Sequence, residues 1–191
     1  MTTGGRLPAA RPVHVPPNVS LGEDSFIEDE GSFERFFSVR DPGLVLGDRV
    51  KAYAWTRFSV EPQGIVEVGH DCLLVGALFM CADRITLGSD VLVSYYVTIA
   101  DCDFHPVDPE ERRRDAIASS PRGDRAQRPS LAAEPVVIGD GVRIGAGAMV
   151  LKGVHVGDGA AIAAGTVVTS DVPAGALVAG NPGRIVEAGS S

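Results

Sequence analysis

Apolar residues recur along this chain at every sixth position, and glycine or polar residues fill the gaps in a fixed order. From Val136 the sequence reads VVIGDG VRIGAG AMVLKG VHVGDG AAIAAG TVVTSD, which sets Ile138, Ile144, Val150, Val156, Ile162 and Val168 in one register. Four residues after each stands Val142, Ala148, Val154, Ala160, Thr166 or Val172, so two positions in each unit look inward. The register recurs through Leu46 and Ala52, through Val68, Leu74 and Met80, and through Leu87, Val93 and Ile99, with weaker traces at Val15, Leu21 and Ile27. A helix needs apolar steps of three and four, and a half-buried hairpin strand alternates with period two. Neither fits a fixed six. A short strand and a turn does fit: three such units close a triangular coil, and stacked coils pair their strands in parallel. The pattern predicts an all-β parallel helix of about six coils. Residues 15–186 form its single domain, after a flexible leader at 1–14 and before a tail at 187–191.

Two segments leave the register. Phe33 to Gly43 is short and aromatic, and reads as a turn that covers an early coil with Phe33, Phe36 and Phe37. Asp101 to Pro135 is long, charged and rich in proline, and reads as an extruded loop. Long excursions without regular structure tend to be functional or disordered. This one opens with His105 directly after an apolar strand, so a rigid wall holds the imidazole at its root. Its charged middle, Glu110 to Arg114, reads equally as a solvated turn of helix or as a substrate contact.

Composition narrows the function. The 191 residues suit one domain, and with 45% hydrophobic but only 6% aromatic residues the core must be built from small aliphatic contacts. A net charge of -8 argues against a nucleic-acid partner, which needs a basic face. Cys72, Cys81 and Cys102 are odd in number and form no close pair, so neither a disulfide framework nor a thiolate metal site is expected. No apolar run is long enough to span a membrane, and no secretory leader pattern opens the chain, so a cytoplasmic protein is expected.

Among the histidines, His14 lies in a proline-rich leader, His70 at a coil corner and His155 at an outward repeat position. Only His105 stands beside a large loop. An imidazole can take a proton from an attacking hydroxyl and return it to a leaving thiolate, because its ordinary pKa lies near cellular pH. Asp103 and Asp101 are the sequence neighbours that could orient it.

The stretch VTIADCDFHPVDPEER, followed by PVVIGDGVRIGAGAMVLKGVHVGDGAAIAAGTVVTSDVPAGALVAGNPGRIV, resembles the hexapeptide-repeat acyltransferases, in particular the maltose, galactoside and nodulation O-acetyltransferases. The resemblance covers roughly residues 85–186 and implies a left-handed coil, a homotrimer with sites between subunits, and acetyl-CoA as acyl donor without a metal. It makes His105 the catalytic base, and proximity in sequence makes Asp103 the expected partner. It aligns Gly145, Ala146, Ala164 and Gly165 with the coenzyme's path, and Arg184 with a cation at the nucleotide. Thr169 and Ser170 stand where the family has Thr-Lys, and Glu187 where another Arg is common; Arg143 replaces a Trp and restores one positive charge. Tyr96 replaces an acceptor-pocket Asn, and with Asp101 it is the expected acceptor contact. Three other readings share the repeat: a noncatalytic scaffold, an N-acyltransferase acting on an amino sugar, and a γ-class carbonic anhydrase, for which the sequence lacks a closely spaced histidine pair.

Overall fold

The computed structural model describes residues 13–186, so most of the leader and the whole of the tail lie outside the described residues. The chain runs through β1 (Val19–Leu21), β2 (Phe26–Ile27), β3 (Leu44–Leu46), β4 (Lys51–Tyr53), β5 (Arg57–Val60) and β6 (Ile65–Val68). It continues through β7 (Leu73–Val75), β8 (Leu78–Cys81), β9 (Arg84–Leu87), β10 (Leu92–Val93) and β11 (Thr98–Ala100). After the helix α1 (Pro109–Ala118) come β12 (Val136–Ile138), β13 (Arg143–Ile144), β14 (Met149–Val150) and β15 (His155–Val156). The chain closes with β16 (Ala161–Ile162), β17 (Val167–Val168), β18 (Leu177–Ala179) and β19 (Arg184–Val186).

These strands form three sheets. The first runs β1-β3-β6-β9-β12-β15, the second β2-β4-β7-β10-β13-β16-β18-β19, and the third β5-β8-β11-β14-β17. Every pairing is parallel except the last, where β19 turns back antiparallel on β18. Successive strands thus visit the sheets in rotation and enclose a prism filled by the predicted register, with Ile138, Ile144, Val150, Val156, Ile162 and Val168 all buried. Burying each such side chain contributes about 1.5–3 kcal/mol. Leu21 remains exposed because β1 ends its sheet and has a strand on one side only.

One register position is corrected. Phe79 and Cys81 fill the interior, and Met80 faces outward. In a regular unit the buried corner residue comes four positions after the strand residue, as Ala148 follows Ile144; after Leu74 it is Ala77, three positions on. The corner is one residue shorter, so the side chains of β8 change face.

The Gly-Asp dipeptides of the repeat build one edge of the prism. Asp140 Oδ1 accepts from Ser89 N at 2.7 Å, and Asp158 Oδ1 accepts from Asp140 N at 2.9 Å. Ser89 Oγ accepts from His70 N, and His70 Nδ1 accepts from Asp48 N. His70 is therefore a rung of this ladder. A Cβ on Gly139 would lie 2.2 Å from Asp158 Oδ1, which explains why glycine precedes the rung residue.

The first excursion behaves as the aromatic pattern suggests: a short 3-10 turn at Glu30–Phe33 brings Phe33 onto Phe58, and Phe36 bridges to Val60. We expect Phe79→Ala to cost about 3–5 kcal/mol, the usual penalty for emptying a buried aromatic position. Met80→Ala should cost well under half of that, and urea unfolding of the two variants checks the order.

Candidate active site

The second excursion is partly helical. Asp108 caps α1 by accepting from Glu110 N and Glu111 N, and Pro109 takes the first turn, where its missing N–H costs nothing. This helix carries Asp115 back over the third sheet, fully buried. His105 Nδ1 lies 2.5 Å from Asp115 Oδ2, while the imidazole remains largely exposed on its other side.

Asp115 is gripped a second time. Arg128 Nε donates to Asp115 Oδ1 at 2.5 Å, Arg128 Nη1 meets Glu61 Oε1 at 2.5 Å, and Arg128 Nη2 donates to Phe104 O at 3.0 Å. Arg125 donates to both oxygens of Glu61 and lies over the Phe37 ring at 3.9 Å, which ties the loop to the first excursion. Burial by itself raises the Asp115 carboxyl, but hydrogen bonds from Arg128 and His105 outweigh it and hold the group below its ordinary value of 3.8. Asp115 is therefore ionised and can only accept. The proton between the two residues belongs to His105 Nδ1, and in the neutral ring the lone pair therefore falls on Nε2.

The backbone next to the imidazole is strained. His105 N donates to Asp103 O at 2.6 Å across Phe104, whose φ is +61°. A non-glycine residue in this region costs of order 1–3 kcal/mol and persists only where its surroundings impose it. The grip of Arg128 on the Phe104 carbonyl is such a restraint.

Two expectations are corrected here. Asp103 does not touch the imidazole; its carboxylate pairs with Lys152 at 2.6 Å. Asp101 is fully buried and accepts from Ala82 N at 2.7 Å, Asp83 N at 2.8 Å and the Cys81 thiol, so it does not face an acceptor. Sequence proximity misled because Asp101, just past β11, stays bound to the backbone of Ala82 and Asp83, while α1 returns a carboxylate from ten residues beyond His105. The capping pattern Asp108-Pro109-Glu110-Glu111 signals that helix, but nothing local shows that Asp115 faces inward.

The other expected residues fall along separate edges. Tyr96 occupies the corner between β10 and β11, exposed and at φ +58°. Ala146 and Gly147 hold the next corner and Ala164 and Gly165 the one beyond, joined by Gly147 N to Tyr95 O and Gly165 N to Ala146 O. Gly145 closes β13 against Ala164, where a Cβ would strike backbone at 2.5 Å. A Cβ on Gly147 or Gly165 would meet nothing within 4 Å, so this edge is open to a thin ligand. Ser170 and Arg184 line a hollow of about 370 Å³ at the C-terminal end, Thr169 is exposed beside it, and Arg143 stands exposed on the outer face of the second sheet. His14 is exposed and His155 exposes its ring. Among the described residues, no group of three or more His, Cys, Asp or Glu side chains is placed to hold a metal ion, and no helix is long and apolar enough to cross a membrane. Cys72, Cys81 and Cys102 are free thiols, and burial pushes Cys102 up to about 11.

Comparison with known proteins bears on the repeat and on the fold. The model of the hexapeptide repeat of succinyl-transferase matches residues 135–170. The 2,3,4,5-tetrahydropyridine-2,6-dicarboxylate N-acetyltransferase of Staphylococcus aureus (strain Newman) is 58% identical over 58 residues, 30% of this chain and 24% of that protein. The match therefore spans about a quarter of that relative's length. A mutant of the N-acyltransferase AntD from Bacillus cereus, solved with dTDP and coenzyme A, superposes with a TM-score of 0.65 at 15% identity, over 88% of this chain and 83% of that one. Galactoside acetyltransferase in complex with coenzyme A gives a TM-score of 0.52 at 22% identity, over 89% and 64%. This chain carries the hexapeptide repeat and shares the fold of these two solved structures.

The Asp115 clamp has a measurable sign. Because its folded carboxyl is held low, its contribution to stability is complete above the ordinary carboxylate value of 3.8 and fades as pH falls through the lower folded value. Arg128→Met leaves the buried charge with one exposed partner and should cost about 3 kcal/mol at neutral pH. Burial then dominates and raises the carboxyl, so the folded state takes up a proton before the unfolded chain does and the penalty fades as pH falls; urea unfolding of the variant and the wild type should differ most at neutral pH and converge towards acid.

Proposed function

We propose that this hexapeptide-repeat protein is a coenzyme A-dependent acyltransferase of left-handed β-helix form, moving an acetyl group to a hydroxyl of a sugar or another hydroxylated small molecule. The observation that carries the reading is the His105–Asp115–Arg128 chain, which leaves one basic nitrogen facing a cleft on a repeat scaffold. His105 Nε2 removes the proton as the acceptor oxygen bonds to the thioester carbonyl carbon. As the carbon–sulfur bond breaks, the imidazolium returns that proton to the departing sulfur, so transfer occurs directly in a ternary complex. Asp115 keeps its charge and stabilises the imidazolium while it lasts.

The donor lies along the corners of Gly145, Ala146, Ala164 and Gly165, where exposed backbone and small side chains admit pantetheine. Arg184, with Ser170 beside it, takes nucleotide phosphate through its planar guanidinium. Thr169 and Arg143 complete the polar contacts at that end. These corners and His105 stand on different edges of the prism, separated by β11, which gives trimerisation a purpose: a neighbouring protomer closes the cleft and contributes a wall. Tyr96, exposed at the edge facing such a neighbour, contacts the acceptor.

An amine acceptor is the second reading, favoured by the N-acetyltransferase match over 58 residues. The same base serves it, since an ammonium must lose its proton before attack. Acetyl-CoA offered with paired sugars and amino sugars, followed by mass spectrometry of the product, separates the two.

In such an assay His105→Ala should lower turnover by about 10²- to 10⁴-fold with the fold retained, the usual range for general base catalysis. Unchanged turnover in a folded variant rejects the assignment. Asp103→Asn, by contrast, should leave the imidazole geometry intact, and a loss as large as that of Asp115→Asn would contradict the clamp. Arg184→Ala should raise the KM for acetyl-CoA roughly tenfold with kcat nearly unchanged, as loss of one charged contact predicts.

A further inference from the structure

The cleft at His105 is lined on its far side by the first excursion. Arg35, Ser59, Glu61, Met80, Phe104 and Arg128 surround a space of about 80 Å³ together with the imidazole. Arg35 opens in turn onto a hollow of about 170 Å³ that includes Ser32 and Ser59. The two spaces share Arg35 and Ser59 as walls, beside β5 and β8 of the third sheet.

Among the described residues, each charged side chain around this groove has an ionic partner within 4.0 Å except Arg35 and Glu34. Glu61 is shared by Arg125 and Arg128, Asp115 by Arg128 and His105, and Asp29 by Arg57. Arg35 alone among these cations has no carboxylate within 4.0 Å among the described residues. Glu34 lines the adjoining hollow and is absent from the walls around His105. The backbone of Arg35 is fixed, because its carbonyl accepts from Val60 N at 3.0 Å and the neighbouring Phe36 bridges to Val60, while its side chain is exposed. In the adjoining hollow stands a second unsatisfied group: the Ser32 hydroxyl is buried and has no hydrogen-bond partner. A buried hydroxyl without a partner is uncommon enough to require an explanation.

The order of strands separates this groove from the donor. In the third sheet β11, which leads to His105, has β8 and β5 on one side and β14 and β17 on the other. The corners assigned to coenzyme A flank β14 and β17, so Arg35 and the donor lie towards opposite ends of that sheet. We propose, resting on the transferase reading above, that the acceptor is anionic. Arg35 binds its carboxylate or phosphate, Ser32 satisfies a second polar atom, and His105 faces the reacting hydroxyl or amine. A guanidinium holds either anion bidentately, so sugar acids and sugar phosphates share the required chemistry.

Thermal shift of the full chain reads this subsite without turnover. Glucuronate or glucose 6-phosphate should raise Tm while glucose and inorganic phosphate do not, and the larger shift names the anion. Arg35→Gln should abolish the shift, Arg35→Lys should restore part of it, and Ser32→Ala should weaken it. A response to neither sugar anion, an equal response to inorganic phosphate, or an unchanged response in Arg35→Gln overturns the proposal. Coenzyme A in the same assay tests the underlying reading separately: no response to it, beside a response to the sugar anions, sinks the transferase and leaves the anion subsite standing. In steady state with acetyl-CoA, Arg35→Gln should raise the KM of the charged acceptor about tenfold or more, with that of acetyl-CoA unchanged. A rise confined to acetyl-CoA assigns Arg35 to the donor and overturns the proposal.

Discussion

A buried carboxylate cannot remain charged without partners, and the site depends on how Asp115 meets that requirement. Removing an ion from water costs several kcal/mol, recovered only where good geometry and further hydrogen bonds compensate. Here Arg128 supplies the compensation, and its remaining donors reach Glu61 and the Phe104 carbonyl. One guanidinium therefore anchors the helix, the strained turn before His105 and the end of β5. The imidazole can stay exposed and still be oriented, since the group that orients it is immobilised from behind.

The prism gives that clamp a fixed base. Parallel pairing and the Asp-Ser-His ladder hold successive corners in register, so side chains far apart in sequence acquire constant spacing along an edge. Glu61 follows β5, Cys81 closes β8, Asp101 follows β11, and all three lie beneath the same excursion. Asp101 serves as the mooring: its oxygens cap the backbone of the preceding coil, and the chain leaves the scaffold from a point that does not move. Conserving rigidity here and strain at Phe104 places the exposed nitrogen over the groove rather than in solvent at large.

How much of this could be read from the residues alone depends on the range of the interaction. The six-residue period is written in every coil, so the parallel β architecture and most of its core were legible. The one shifted side chain, at Met80, follows from a corner shortened by a residue, which a fixed period cannot register. His105 stood out because it sits where the repeat stops. Its carboxylate did not, because Asp115, Arg128 and Glu61 are separated by a helix, a loop and several coils, and only folding brings them together. Arg35 was hidden for the same reason: a charged residue between phenylalanines is legible as part of a cover, but the absence of a counter-ion is a property of space.

The account rests on an imidazole with its proton at Nδ1 and its lone pair at Nε2. Nitrogen-15 NMR of selectively labelled histidine at neutral pH reads that tautomer directly, with His105 assigned by its loss in His105→Gln. We expect Nδ1 protonated and Nε2 bare, with the tautomer population shifting when Asp115 is replaced by Asn. A ring protonated at Nε2 alone, or a signal indifferent to Asp115, would contradict it.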